Sequence, residues 1–416
     1  MRRDSYFPVA PMGSPMSDHL SAVSAPLSSS LPPAGLTASG AVPAASSLGA
    51  AAAAGDAVSE AVWQVAPRRA CAALPGCGGR LKAVPEDFVV EEVPAYTPSG
   101  TGEHLFLWLE KRGMPAHALV AHVARCLGVA PREVGSAGLK DTQAITRQYL
   151  SVPARGVDAA ALARLDDDRV RLLHHGLHGN KLKTGHLHGN RFQVRLRGVA
   201  ADGAARAATA IAHLQAHGLP NYYGPQRFGQ AGDNVARGRR ILAGDRAALR
   251  DVPQARHRML RRLCLSALQS ALFNAYLAER LGDDLLQTVL EGDVLGVRAS
   301  GGVFVSDDAA VDQARLQAGE LVVTGPMFGV KMRAPSGAAA AREAALLAAA
   351  GLSASSFASQ AQLMQGSRRP LTIWPTGLTC VSECLEMGEP TLLLSFTLPP
   401  GCYATVLLEE LMGPPA

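Results

Sequence analysis

Nowhere in the 416 residues do ~18 or more apolar residues follow one another, which is the minimum for a membrane-crossing helix. The seven cysteines are scattered, with Cys71 and Cys77 six apart and Cys380 and Cys384 four apart. An odd count without CxxC pairs argues against a disulfide framework or a zinc ribbon and for reduced thiols in a cytoplasmic protein. GxGxxG, GxxxxGK[ST] and HExxH are all missing, so no nucleotide cofactor or zinc-protease chemistry is indicated. Aromatic residues make up only 5% of the chain. There is no internal repeat. The beginning, "MRRDSYFPVAPMGSPMSDHL", has two arginines but no apolar core segment, so no signal or transit peptide is expected.

What is present points to a folded, mildly basic protein. Hydrophobic residues make up 48% and Lys plus Arg outnumber Asp plus Glu by 40 to 35, a balance compatible with a polyanionic partner. The length allows two or three domains. The first 60 residues contain 14 alanines and 12 serines with interspersed prolines, and residues 1–65 read as a disordered tail.

Order is expected to start near "GRLKAVPEDFVVEEVPAYTPSG" (79–100). "DFVVEEV" and "EHLFLWLEKRG" read as strands, and "PAHALVAHVARCLGV" has the apolar spacing of an amphipathic helix. "RQYLSVPA" is a further strand. "NRFQVRLRGV" (190–199) alternates Phe192, Val194 and Leu196 against Gln193, Arg195 and Arg197, a half-buried strand with a basic face. From about Gly218 a Gly- and Pro-rich loop leads into a long helix (256–281), a hairpin around "GDVLGV…GGVFVSDD" and an alanine-rich helix (337–350). After Pro370 both "TLLLSFTLPPG" and "CYATVLLEELM" read as strands. The regular βα alternation of a parallel α/β domain is absent, so the class is α+β, with a first sheet interrupted by an insertion.

Five stretches stand in a set order: "KAVPEDFVVEE" (82–92), "GLKDTQAITRQ" (138–148), "GNRFQVRLR" (189–197), "NYYGPQRFG" (221–229) and "PPGCYATVLLEEL" (399–411). Together they resemble the TruD family of tRNA pseudouridine synthases, from about residue 78 to the C-terminus. The resemblance implies isomerisation of uridine 13 of tRNA to pseudouridine, a redox-neutral reaction without a cofactor, with tRNA as partner. It also implies a pseudouridine synthase catalytic domain with a mixed, mainly antiparallel sheet, interrupted by an inserted α/β TRUD domain. On that basis residues 66–217 and 374–416 form the catalytic domain and 218–373 the insertion. A monomer is expected.

The reaction requires a carboxylate at the nucleotide. Without the resemblance, Asp141 in "GLKD" would pass for a turn residue; with it, Asp141 becomes the nucleophile. Lys140 is its sequence neighbour, but neighbours on an extended segment point to opposite faces. Lys82 matches the lysine that the family places near its catalytic acid. Phe88, Asn190 and Phe192 match positions that contact base and ribose, which agrees with the stacking and edge hydrogen bonds that hold a flipped base. Ordinary core packing is the alternative for both phenylalanines. Tyr403 stands where the family pattern "GxFAT" has phenylalanine.

The segment 174–190 has five histidines in its first 15 residues, without the carboxylates or cysteines that would favour a metal. The family has a basic run here, so Lys181 and Lys183 are candidates for phosphate contact, as are Arg258, Arg261 and Arg262 at the start of the long helix. "NYYGPQRFG" reads as a structural knot between domains. Two other functions compete. A catalytically inert tRNA-binding protein on the same scaffold would be expected to lose Asp141, which is present. A sugar or nucleotide enzyme would pair Asp141 with Glu86 or Asp87, at a separation that the sequence cannot supply.

Overall fold

Among the described residues, fifteen strands form two main sheets and a short two-stranded one. The computed structural model describes Glu60, Val62, Trp63 and residues 66–229, 232–384 and 388–414. The expected tail, residues 1–65, lies outside the described residues except at its end. There Val62 is buried in the core and Trp63 packs against it. Glu60 pairs with Arg239, whose guanidinium also lies over the Trp63 ring. Packed structure thus begins several residues before position 66. No helix among the described residues is long and apolar enough to cross a membrane.

The first sheet comprises β1 (Gly78–Arg80), β2 (Phe88–Pro94), β3 (His104–Arg112), β4 (Gly135–Ser136), β5 (Ile145–Pro153), β6 (Val170–His178) and β7 (Leu187–Val199). After two short strands β8 (Leu219–Pro220) and, much later, β13 (Thr372–Ile373), it is completed by β14 (Thr376–Cys384) and β15 (Pro390–Leu398). Its order is β14-β15-β7-β2-β5-β3-β6, with β1 beside β7 and β4 beside β5. Only β2 and β5 run parallel; every other pairing in the sheet is antiparallel. A second sheet, β10-β9-β11-β12, is built from β9 (Val294–Val297), β10 (Val303–Val305), β11 (Leu321–Met327) and β12 (Ser367–Pro370). The chain leaves the first sheet through β8 and returns through β13, and these two strands pair antiparallel.

The alternation read in 190–199 sets which face is covered. Phe88 and Val90 of β2, Phe192, Val194 and Leu196 of β7, and Leu392, Leu394 and Phe396 of β15 are buried in one core cluster. The helices Gly203–His217 and Ala404–Met412 cover them, through residues such as Leu214 and Leu407. At the other end of the sheet, Leu105, Leu107 and Leu109 pack under the helix Ala116–Leu127 through Leu119 and Val123. Each such buried side chain contributes ~1.5–3 kcal/mol of transfer free energy. Along the middle of the sheet a row of ion pairs, Arg147 with Glu91 and Glu110 and Arg191 with Glu91, takes the place of apolar contacts.

One expectation is corrected. "CYATVLLEELM" is not a strand: residues Ala404–Met412 form a helix, whose buried Ala404, Leu407, Leu408 and Leu411 follow a helical spacing. The histidine-rich segment is mostly strand: His174, His175 and His178 lie on β6 and His188 on β7, leaving a loop of residues 179–186 between them. The remaining strands and helices quoted above are present.

The long helix His257–Gly282 is anchored at its far end by Arg280, which is fully buried. Its guanidinium donates to both carboxylate oxygens of Asp293 (2.9 and 3.0 Å) and to the carbonyls of Leu285 (3.0 Å) and Thr288 (2.8 Å). This satisfies the charge inside the core and ties the helix to the entrance of β9. Removing one partner of such a pair strands a buried charge. Asp293→Ala should therefore destabilise the fold by about 3–5 kcal/mol, read from urea unfolding. A loss below about 1 kcal/mol would mean that water reaches Arg280.

Candidate active site

The segment between β4 and β5 carries Asp141, two lysines distant in sequence reach that residue, and a third, Lys140, anchors the segment beside it. Lys140, next in sequence, turns inward: its ammonium lies 2.8 Å from Glu92 Oε2 on β2, and both side chains are buried. Glu92 Oε1 also accepts the backbone N–H of Tyr149 at 3.3 Å, so this acid joins the loop to β5. Lys111, at the end of β3, is fully buried and donates to the carbonyls of Met114 (2.7 Å) and Asp141 (2.6 Å). Burial pulls its pKa down from 10.5 to about 8, opposed by the Asp141 charge. Lys82 approaches from the opposite side, with Nζ 3.3 Å from Asp141 Oδ1 and 4.1 Å from the centre of the Phe88 ring. The side chains of neighbours 140 and 141 do point apart, one to Glu92 and the other to Lys82. The Asp141 side chain keeps 35% of its surface open.

That open edge lines a cleft of about 220 Å³, shared with Phe88, Val90, Leu139, Asn190, Phe192 and Tyr403. The scale is that of a single nucleoside, below the ~300–1,000 Å³ of drug-sized sites. Phe192 is almost wholly buried, stacked on Phe396 at 5.1 Å and edge-on to Phe88 at 6.1 Å. Phe192 is both core and wall. Asn190 sits opposite Glu92 and Leu398 in the sheet, and its side-chain oxygen is buried without a partner among the described residues. Gly189 precedes it because a Cβ there would stand 2.4 Å from the Leu398 carbonyl oxygen. Tyr403 precedes the last helix and packs edge-on to Tyr223 at 5.9 Å; burial pushes its phenol pKa up.

Asp141, Lys82, Phe88, Asn190, Phe192 and Tyr403 therefore meet at one place. Lys181, Lys183, Arg258, Arg261 and Arg262 do not line the cleft. The lysines are on the 179–186 loop, which is tied to the Asp141 segment where the Gly185 N–H donates to the Ala137 carbonyl at 2.8 Å. Lys181 donates to the Arg132 carbonyl at 2.7 Å. The three arginines are exposed on the first turns of the long helix. Histidines of the rich segment engage tyrosines: His174 with Tyr149, and His186 and His178 with Tyr96.

Glu86 and Asp87 are occupied elsewhere. Glu86 pairs with Arg112. Burial pushes the Asp87 carboxyl up, but the Arg197 guanidinium outweighs that and holds it below the usual carboxylate range. The sequence reading did not single out Glu92, Lys111, Gln226, Thr405 or Arg369. Gln226 and Thr405 line the cleft. Arg369 lies 4.1 Å over the Tyr223 ring and donates to Asn221 Oδ1 (2.6 Å) and the Gly401 carbonyl (3.0 Å), which pins the turn before Tyr403. A charged residue inside an apolar strand, as in "LWLEK" and "FVVEE", was the available signal for Lys111 and Glu92.

Lys82 is one of two described non-glycine residues with positive φ, at 56°. Strain of this kind persists where surrounding contacts over-determine it. The backbone effect can be separated from the charge. Lys82→Gly and Lys82→Ala both remove the ammonium, but only glycine adopts this conformation freely. Lys82→Gly should be more stable than Lys82→Ala by about 1 kcal/mol in urea unfolding. Equal stabilities would mean the turn relaxes once the side chain is gone.

Comparison with known proteins places this geometry. The family model of tRNA pseudouridine synthase D (TruD) matches residues 68–252 and 243–411. Among curated relatives, tRNA pseudouridine synthase D of Anaeromyxobacter sp. (strain Fw109-5) is 47% identical over 346 residues, covering 82% of this chain and 94% of the relative. A relative of the same name from Thermus thermophilus is 42% identical over 339 residues, covering 82% and 90%. A crystal structure from Methanosarcina mazei that carries the TruD name superposes with a TM-score of 0.68 at 22% identity, over 86% of this chain and 98% of that one, so the two share a fold. With the family's model matched along most of its length, the chain belongs to the tRNA pseudouridine synthase D (TruD) family.

Proposed function

We propose that this protein is a tRNA pseudouridine synthase that acts on uridine 13, with Asp141 as its nucleophile. The single observation that carries the reading is the Asp141 carboxylate, partly in solvent at the rim of a nucleoside-sized cleft and paired to Lys82. The curated relatives named tRNA pseudouridine synthase D support the substrate class.

The target uridine leaves its stack and enters the cleft, against the Phe88 and Phe192 wall and the Tyr403 ring, with the Asn190 amide at the base edge. An Asp141 oxygen attacks C1′. The C1′–N1 bond breaks and its electron pair passes to the uracil. The ring turns until C5 faces C1′, the C5–C1′ bond forms, and the carboxylate is released. C5 then loses its proton and N1 gains one, so the product is an isomer of the substrate. Lys82 contributes by holding the carboxylate in place and opposing its charge.

The sheet connectivity supports a domain division at 66–217 with 374–416 and an insertion of 218–373, since β8 and β13 pair at the crossing point. The long helix of the insertion supports a role in binding. Positive charge in the first turn of a helix is unfavourable by ~0.3–1 kcal/mol, so exposed Arg258 there, followed by Arg261 and Arg262 one turn on, fits a site that receives an anion such as phosphate.

The test uses tRNA labelled with tritium at C5 of uridine, with filter binding at fixed salt. Asp141→Asn should lower tritium release by at least about 10³-fold while binding is kept or tightened. Mapping should place the pseudouridine made by the native protein at position 13. In a salt titration, replacing Arg258, Arg261 and Arg262 by glutamine should flatten the dependence of binding on salt. Substantial release by the Asn variant would end the nucleophile assignment, and modification at another position would end the assignment of uridine 13.

A further inference from the structure

The functional assignment leaves a buried charge without a role. Lys111 lies inside the protein, and its ammonium is bound to two main-chain carbonyls, those of Met114 and Asp141, with no carboxylate among the described residues in direct contact. A lysine is rarely fully buried without an acid partner, because desolvating an ammonium is costly. Here the acid charge that bears on it is that of Asp141 itself, whose main chain Lys111 holds. Asp141 favours the ammonium, while Lys140 and Arg169 oppose it. Lys140 is neutralised by Glu92, and Arg169 donates to the Arg112 carbonyl at the edge of β3.

We propose that Lys111 is a positioning residue for the isomerisation: its ammonium clamps the Asp141 carbonyl to the end of β3 and fixes the carboxylate against C1′ of the flipped nucleotide. This rests on the assignment of Asp141 as the nucleophile. Ala137 and Ala144 bury the two ends of the segment around Asp141, but between them Leu139 is 84% exposed. Lys140 to Glu92 anchors it on one side and Lys111 on the other, while Lys82 touches the carboxylate alone. Loss of the Lys111 clamp frees the main chain of the nucleophile while leaving the surface that meets RNA intact.

The clamp should depend on pH. Lys111 holds its proton to about pH 8 in the folded chain, against an ordinary 10.5. A neutral amine has one fewer donor and no charge, so the hold on Asp141 weakens as pH rises through 8. The stability linkage has the opposite sense. Between pH 8 and 10.5 the unfolded chain binds more protons at this residue than the folded one, so this residue makes stability rise with pH across that window.

The experiment measures turnover of tRNA transcripts between pH 6.5 and 9.5 by the native protein, Lys111→Met and Lys111→Arg. Lys111→Met should lose ~10²-fold in kcat with KM changed less than about threefold, the cost of a misplaced reacting group. The fall in native kcat above pH 8 should be absent from Lys111→Met. Lys111→Arg, which stays charged, should recover part of the rate without an alkaline fall. Should these variants not fold, Asp141→Asn provides a second reading. Without the Asp141 charge the Lys111 proton is held less tightly, so the rise in stability with pH should begin at lower pH than in the native chain. An alkaline fall unchanged in Lys111→Met, or identical stability profiles for the native and Asp141→Asn chains, would overturn the proposal. Failure of the nucleophile assignment is distinguishable, because then Asp141→Asn would itself continue to release tritium.

Discussion

A nucleophilic carboxylate must be ionised, exposed on one side and immobile, and these demands conflict. An acid packed deeply enough to be rigid becomes costly to ionise, and one left in solvent wanders. The structure separates the demands by fixing the main chain of residue 141 rather than its side chain. The buried pair of Lys140 with Glu92 and the two carbonyl contacts of Lys111 hold the backbone on either side, while among the described residues the carboxylate is met only by Lys82 at the rim. Two interior cations thus serve a group that is itself partly in water.

The rest of the architecture serves that arrangement. β2 supplies Phe88, Val90 and Glu92 from alternate positions, so one strand lines the cleft and anchors the loop. β7 crosses beside it and delivers Asn190 and Phe192, with Gly189 allowing the close approach of β15. The far wall comes from the end of the chain, where Arg369 ties the Gly401 turn to Asn221 and so places Tyr403. Residues from positions 88 to 405 therefore meet around one nucleoside-sized space.

Much of this was legible in the sequence, for identifiable reasons. Alternation in "NRFQVRLRGV" placed Phe192 on the covered face, since a period of two leaves one choice. The helix at 404–412 was misread because a nine-residue segment in which only Thr405, Glu409 and Glu410 are polar is too short for its period to be decided, and its buried positions become visible only once the sheet beneath them is known. Lys111 and Glu92 were not singled out because their partners lie 30 and 48 positions away, and sequence proximity says nothing of such contacts. The pairing of Lys82 with a residue 59 positions later entered only through family resemblance. Asp87 shows the converse: a plausible acid in the sequence, it is bound to Arg197 in the fold.

The central claim is geometric: Asp141 is aimed at the sugar of a uridine lodged in this cleft. A crystal structure of the Asp141→Asn protein bound to intact tRNA tests it most directly, since the substituted protein should bind without turning over. The account predicts the base of uridine 13 between the phenylalanine wall and Tyr403, with C1′ about 3–3.5 Å from the side chain at position 141. A uridine bound outside the cleft, or a C1′ beyond reach of that side chain, would contradict it.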